Sequence, residues 1–285
     1  MTKIVETQGV LYIVATPIGN LADISLRALE VLKEVDLIAA EDTRHSKLLL
    51  NNYSIKTKLT ALHEHNERQQ LKTVLTKLKH GENIALISDA GTPLISDPGF
   101  PLVQAVKDAG IKVVPIPGAC AAIAALSAAG MPTDRFIFEG FLPAKAGARE
   151  QRLQALEHEV RTMIFYLSPH RIFKVLSDMQ AVFGSDREVV VARELTKKFE
   201  TIKKDNIANI ISWLTNDSNQ QKGEFVCLVA GAVVDENALM QESERIYKIL
   251  REELSHKQAV ALAAKITGIK KSKLYNLMLS PDQVV

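Results

Sequence analysis

The chain lacks most of the features that mark the commonest sites. Its two cysteines, Cys120 and Cys227, are too few for a disulfide framework or a four-cysteine zinc site. They read as core thiols. There is no G-x-G-x-x-G, no G-x-x-x-x-G-K-[ST] and no G-x-S-x-G, so the usual dinucleotide, P-loop and nucleophile-elbow fingerprints are absent. The longest run of low polarity, 117–131, is broken by Gly118, Ser127 and Gly130 and is too short to span a bilayer. The first eight residues are polar and carry no apolar signal core. The expectation is a cytoplasmic protein with no membrane segment. An excess of one charge is missing too: 35 Lys and Arg against 33 Asp and Glu leave +2. That balance argues against a protein that coats nucleic acid over its whole surface and leaves room for a local basic patch.

What is present is ordinary globular material. Of 285 residues, 47% are hydrophobic and 24% charged, enough for about two domains at roughly 150 residues each. The first half alternates strand-like and helix-like segments. Strands are predicted at 9–16, 36–41, 58–65, 83–88 and 112–116, and helices at 23–33, 43–51, 66–79, 100–109 and 119–129. This alternation predicts a parallel sheet with right-handed crossovers. Gly130 to Asp134 carries the breakers of a boundary, after which strands at 136–141, 162–167, 189–195, 199–203 and 224–230 and helices near 147–160, 170–183 and 205–216 form a second α/β domain. The expected division is therefore an α/β domain over 9–131, a second over 132–235 and a helical tail over 241–285. The tail carries Lys257, Lys265, Lys270, Lys271 and Lys273 with no acid between 257 and 273. Ser255 and Gln258 have capping-box spacing, and Gly268 separates helices predicted at 256–267 and 271–279. The pattern suits a basic helix-turn-helix and equally a plain helical hairpin.

In an open parallel sheet, ligands gather at the carboxyl ends of the strands. The segments that follow the five predicted strands are Thr16 to Asn20, Glu41 to His45, His63 to Glu67, Ser88 to Gly99, and Pro117 to Cys120. Each is rich in glycine, proline or short polar residues. The loop from Asp89 to Gly99 is the sharpest signal, because Gly91, Pro93, Pro98 and Gly99 shape a tight turn with exposed backbone. It reads either as a ligand cradle or as a rigid β-to-α connection. His63 and His65 fall on one side of a strand, as metal ligands would. Without further ligands they read as polar edge residues, and no metal is expected.

At these residues the chain resembles a known family. Leu11 to Ser25, Ala40 to Arg44, His63 to Glu67, Ile87 to Gly99, Pro115 to Gly118 and Phe138 to Pro143 occur in order. Together they are similar to the tetrapyrrole-methylase-like superfamily, over about residues 9–232. Within it they look most like the branch that methylates ribosomal RNA, and the helical tail fits that branch. The superfamily's glycine-rich first loop is replaced here by Thr16-Pro17-Ile18-Gly19-Asn20, a departure that favours the ribosomal branch.

The resemblance implies two α/β domains of the tetrapyrrole methylase type with a cofactor cleft between them, S-adenosylmethionine as methyl donor, and a homodimer. It implies transfer to the ribose 2′-hydroxyl of a cytidine in the decoding centre of 16S rRNA, on the 30S subunit. Donor contacts would map to Pro17, to Gly91, Thr92, Pro93 and Ile95, to Ala119, Cys120 and Ala121, and to Tyr166, Leu167 and Leu195. A protonated ribose hydroxyl is a poor nucleophile, so a base or an alkoxide-stabilising cation is expected. Glu41, Asp42 and Asp89 are the candidates for base or sulfonium partner. Glu41 and Asp42 read equally as a carboxylate pair at a helix N-terminus. Lys197, Arg44 and Lys198 are candidates to hold a phosphate or steady the alkoxide, or in the case of the lysines to form a solvated hairpin end. Lys145, Arg149 and Arg152, with Lys270, Lys271 and Lys273 of the tail, are expected to track the RNA backbone. Two other readings stay open: a methyltransferase of a tetrapyrrole intermediate, and a nucleic-acid-binding regulator built around the terminal helices.

Overall fold

The structure is a computed structural model and describes residues 8–63, 66–233 and 236–279. The first five strands are β1 (Val10–Val14), β2 (Leu37–Ala40), β3 (Leu59–Ala61), β4 (Ile84–Ile87) and β5 (Lys112–Ile116). They form one sheet in the order β3-β2-β4-β1-β5, parallel throughout, as the alternation predicts. Its connections are α1 (Leu26–Glu34), α2 (Thr43–Asn52), α3 (Glu67–Lys79) and α4 (Phe100–Asp108). Helices cover both faces, so the central β4 is apolar and buried at all four positions. Ala85 and Ile87 pack with Ala28, Leu32 and Leu50 of α1 and α2. Ile84 and Leu86 point the other way, to Val74, Leu78, Leu102 and Val106 of α3 and α4. Local caps fix where the helices begin: Ser25 Oγ accepts from Ala28 N at 3.1 Å for α1, and Asp42 Oδ1 from Arg44 N at 2.8 Å for α2.

The helix after β5, α5 (Ala121–Ala128), is alanine-rich and apolar on every side. Ala122, Ala125 and Leu126 pack against Ile164, Val190, Val226 and Leu228 of a second sheet. That sheet is built from β6 (Phe136–Phe141), β7 (Thr162–Leu167), β8 (Glu188–Arg193), β9 (Thr201–Asn206) and β10 (Phe225–Val229), in the order β6-β7-β10-β8-β9. It is mixed: only β6 and β7 are parallel, and β10 runs antiparallel to both neighbours. Its far face carries α6 (Ala146–Gln154), α7 (Ile172–Phe183) and α8 (Ile207–Asn216), with Leu153, Phe165, Leu176, Met179, Ile210 and Leu214 in the core between. Several segments are shorter than their pattern, most of all β3, which stops at Ala61, and α6, which stops at Gln154. The described residues up to Gly231 form one compact unit, and those from Ala232 onward a second.

The second unit holds α9 (Glu236–Arg251), α10 (His256–Thr267) and α11 (Lys271–Met278) around Val260, Ala263, Ala264 and Leu274. The expected capping box is present, with Ser255 N donating to Gln258 Oε1 at 3.3 Å. Gly268 ends α10 in the left-handed conformation at φ 76°. Among the described residues no helix is long and apolar enough to cross a membrane.

Candidate active site

The carboxyl ends of the first sheet are tied to one another by backbone and short side chains. Thr16 N donates to Gly91 O at 2.9 Å, and Gly91 N returns a bond to Thr16 O at 3.0 Å. Thr92 Oγ1 donates to Ala119 O at 3.0 Å, and Asp42 N to Asp89 Oδ1 at 3.0 Å. Four loop ends are thereby held at one rim. The loop between β4 and α4 is built from unusual backbone: Gly91, Leu94, Ser96 and Gly99 have φ of 86°, 72°, 71° and 124°. Leu94 and Ser96 carry side chains in a region that disfavours them, a strain of roughly 1–3 kcal/mol each that the surrounding structure must hold in place.

This rim faces a cavity of about 440 Å³, within the span of about 300–1,000 Å³ usual for small-molecule sites. Its first wall is Ile18, Glu41, the loop residues Asp89 to Thr92 and Ile95 to Asp97, and Cys120 and Ala121. The second sheet supplies Tyr166 to Pro169 at the end of β7, Ala192 of β8 and Leu195 after it, Phe141 of β6, and Glu224 to Val226 at the start of β10. Tyr166 is fixed by Ala122 N, which donates to its hydroxyl at 3.2 Å. Burial pushes that hydroxyl up to about 12, so it stays protonated at any ordinary pH.

Three carboxyls share the first wall. Glu41 is raised above the ordinary range by burial first, then by the charges of Asp97 and Asp89. Asp97 is raised by burial, against a hydrogen bond from Ser88, with Asp89 adding to the rise. The neighbouring cations Arg44 and Lys197 pair elsewhere, with Asp42 and with Glu194 and Glu224. Three like charges crowded on one wall make a seat for a positive ligand.

The cavity brings together Glu41, Asp89, Gly91, Thr92, Ile95, Cys120, Ala121, Tyr166, Leu167 and Leu195 of the residues expected there. Pro17, Pro93 and Ala119 lie next to lining residues without lining it themselves. Asp42 departs from its expected role. It caps α2 and forks Arg44, accepting at 3.2 and 2.8 Å, which holds its carboxyl down to about 2. It is the helix N-terminal carboxylate of the alternative reading and a poor base. Lys197 also stands outside the lining. Its Nζ donates to Glu194 Oε1 at 2.9 Å and to Glu224 Oε2 at 2.8 Å, and those bonds hold its charge against the opposing pull of burial.

Of the basic residues, Arg44, Lys145, Arg152, Lys198, Lys270, Lys271 and Lys273 are exposed. Arg149 is not, and its expected contact with RNA is corrected. Its side chain is 1% exposed and paired with Asp178, and its Nη1 donates to the carbonyls of Pro143 and Ala144 at 3.2 and 3.0 Å. The signal was its spacing, since Arg149 and Leu153 sit four apart on one helix stripe. Among the described residues no group of three or more His, Cys, Asp or Glu is placed to hold a metal. His65 lies outside the described residues.

Sequence reasoning passed over Asp97 and the start of β10. Asp97 stands in the Ser88 to Gly99 loop that the sequence singles out, nine residues after its start. Glu224 to Val226 were missed because the rule looks after strands, and β10 runs antiparallel, which puts its beginning at the cleft.

Comparison with known proteins agrees with this arrangement. A profile of the family described as Tetrapyrrole (Corrin/Porphyrin) Methylases matches residues 10–211, and one described as the RsmI C-terminal HTH domain matches 237–281. Two relatives named Ribosomal RNA small subunit methyltransferase I are similar along nearly their whole length. That of Pseudomonas aeruginosa is 58% identical, covering 95% of this chain and 97% of its own; that of Escherichia coli O157:H7 is 56% identical, covering 96% of each. Among solved structures, diphthine synthase aligns with a TM-score of 0.59 at 15% identity, over 78% of this chain and 90% of its own. Uroporphyrin-III-C-methyltransferase from Thermus thermophilus aligns with a TM-score of 0.56 at 17% identity, over 78% and 94%. These two likenesses show the fold alone. The parallel sheet with its tied rim, the mixed sheet facing it, the terminal helices and the full-length similarity together mean that the chain belongs to the ribosomal RNA small subunit methyltransferase I family of the tetrapyrrole methylases.

Proposed function

We propose that this chain transfers the methyl group of S-adenosylmethionine to the ribose 2′-hydroxyl of a cytidine in the decoding centre of 16S rRNA. It acts in the cytoplasm as a homodimer on the 30S ribosomal subunit. The observation that carries the reading is the cavity: three carboxyls, Glu41, Asp89 and Asp97, share one wall with apolar residues such as Ile18 and Ala121, and Leu167 and Leu195 line the other. A sulfonium donor is a cation with apolar and aromatic parts, and both kinds of lining suit it. The relatives' name, which specifies ribosomal RNA of the small subunit, supports the acceptor.

When bound, the donor supplies a methyl group on a good leaving group, so the protein's part is alignment and proton removal more than Lewis-acid activation. Asp97 and Asp89 face the cation. Glu41, whose raised carboxyl lies closer to neutral pH than an ordinary one, takes the 2′-hydroxyl proton. Arg44, Lys145, Lys198 and the tail lysines Lys270, Lys271 and Lys273 hold RNA phosphates.

Incubation with labelled S-adenosylmethionine and 30S subunits from a strain lacking this gene is expected to yield 2′-O-methylcytidine. Absence of that nucleoside from the digested RNA would sink the proposal. Changing Asp97 to Asn is expected to weaken donor binding by roughly tenfold or more, as loss of a charge-assisted contact does. Calorimetry at pH 7.5 reads this, and an unchanged Kd would remove Asp97 from the donor seat.

A further inference from the structure

The cavity has a neighbour. Across Phe141, which lines both, lies an open groove of about 490 Å³ formed by Glu139, Leu142, Pro143, Ala148, Gln151, Arg152 and Ala155. Its entrance depends on an irregularity in β6. Pairing with β7 shifts register between Phe138 and Gly140, leaving Glu139 without a partner, and Gly140 takes the left-handed conformation at φ 63°. Such a bulge re-aims the side chains that follow it. Without it, Phe141 would stand on the face opposite Phe138. With it, both rings meet Tyr166 edge-on, at centroid distances of 5.0 and 5.5 Å, and Phe141 remains 55% exposed between the two spaces. A Cβ at residue 140 would stand 3.1 Å from Ser96 Oγ in the strained loop, so the bulge leaves little room for any other residue there.

Besides the Gln151 amide, the polar equipment of the groove is one fork. Arg152 Nε and Nη2 each donate to Glu139 at 2.8 Å. Both residues line the groove, with the Arg152 side chain 48% and the Glu139 side chain 10% exposed. A carboxylate bonded to two donors keeps free lone pairs, and a guanidinium bonded through two N–H groups keeps three. Side by side they offer an acceptor and a donor. Cytosine presents the complement, an exocyclic amine beside a ring nitrogen and a carbonyl, and acidic side chains accept from that amine. Uracil would turn a carbonyl toward the carboxylate.

We propose that this groove is the acceptor-base subsite: Phe141 stacks the target base, Glu139 accepts from the exocyclic amine of cytosine, and Arg152 donates to its ring acceptors. The assignment rests on the reading of the chain as a cytidine methyltransferase. It adds where the base sits and why cytosine is preferred to uracil.

The test is methyl transfer by the full chain to 30S subunits lacking the modification, with the target either cytidine or replaced by uridine, alongside calorimetric donor binding. Phe141→Ala is expected to lower kcat/KM for the 30S subunit about tenfold or more, a larger loss than any in donor affinity, and Phe141→Trp to restore most of it. Glu139→Gln is expected to narrow the cytidine-over-uridine ratio by about tenfold while donor Kd holds. Equal activity of Phe141→Ala and wild type, a parallel loss of donor binding, or an unchanged base preference in Glu139→Gln would each overturn the subsite while leaving the methyltransferase reading in place. Wild-type protein that methylates no cytidine would overturn both.

Discussion

Changing Glu41 to Gln is expected to lower kcat for methyl transfer by about 100-fold or more, the usual effect of losing a general base, with a much smaller change in donor affinity. The size follows from its placement. Glu41 closes β2 at the rim, on the same wall as Asp89 and Asp97, and burial and those two charges raise its carboxyl. The rate in wild type should therefore rise with pH through that raised value and flatten above it, and the variant should lose this limb. Stability should move the other way. A carboxyl raised in the folded chain holds its proton there after the unfolded chain has released it, so the folded state loses ground as pH rises through that window. Gln carries no charge to desolvate. The variant is therefore expected to melt at a higher temperature than wild type at pH 7.5, and the difference should vanish below about pH 4, where both states of the wild-type carboxyl are protonated. Rate profiles and melting curves across pH 4–9 read both effects. A variant with full activity would move the base to another residue.

Changing Arg149 to Ala is expected to cost about 3 kcal/mol of stability, the range for removing one partner of a buried, hydrogen-bonded ion pair. At roughly 2–4 °C per kcal/mol for a unit of this size, that lowers Tm by about 6–12 °C. The substitution strips Asp178 of its cation and the carbonyls of Pro143 and Ala144 of a donor, and empties a position beside Leu153. A phosphate-binding arginine would behave in the opposite way, losing RNA affinity at an unchanged Tm. Thermal melting and RNA binding measured together separate the two, and an unchanged Tm would contradict the buried placement.

Arg149 shows where reading the sequence stops. A basic residue after a loop of Pro, Ala and Gly looks like a surface hand for RNA, and only the packing of α6 onto the second sheet turns it inward. The parallel sheet was legible because alternation constrains it: buried strands such as Ile84 to Ile87 are apolar at every position, and their ends must carry the ligand site. Glu41, Asp89, Thr92, Cys120 and Tyr166 follow from that rule alone or with the family resemblance. The second sheet obeys it only in part. β10 enters between β7 and β8 in the reverse sense, and nothing local in Glu224 to Val226 announces the direction of a strand. Phe141 was hidden for a related reason: one unpaired residue in β6 exchanges the faces of all that follow, and Glu139-Gly140 was the sole local hint.

The strained loop between β4 and α4 has a consequence for how any ligand meets this wall. Thr16 and Ala119 hold Gly91 and Thr92 from two sides, and Leu94 and Ser96 are left-handed. The wall's torsions are fixed by contacts within the chain itself, so association need freeze few of them, and affinity is gained by spending less entropy at that moment. The same torsions are frozen in every idle molecule. Tight recognition and modest resistance to heat are in this respect one property: relaxing Leu94 or Ser96 would make the chain sturdier and its cleft less definite.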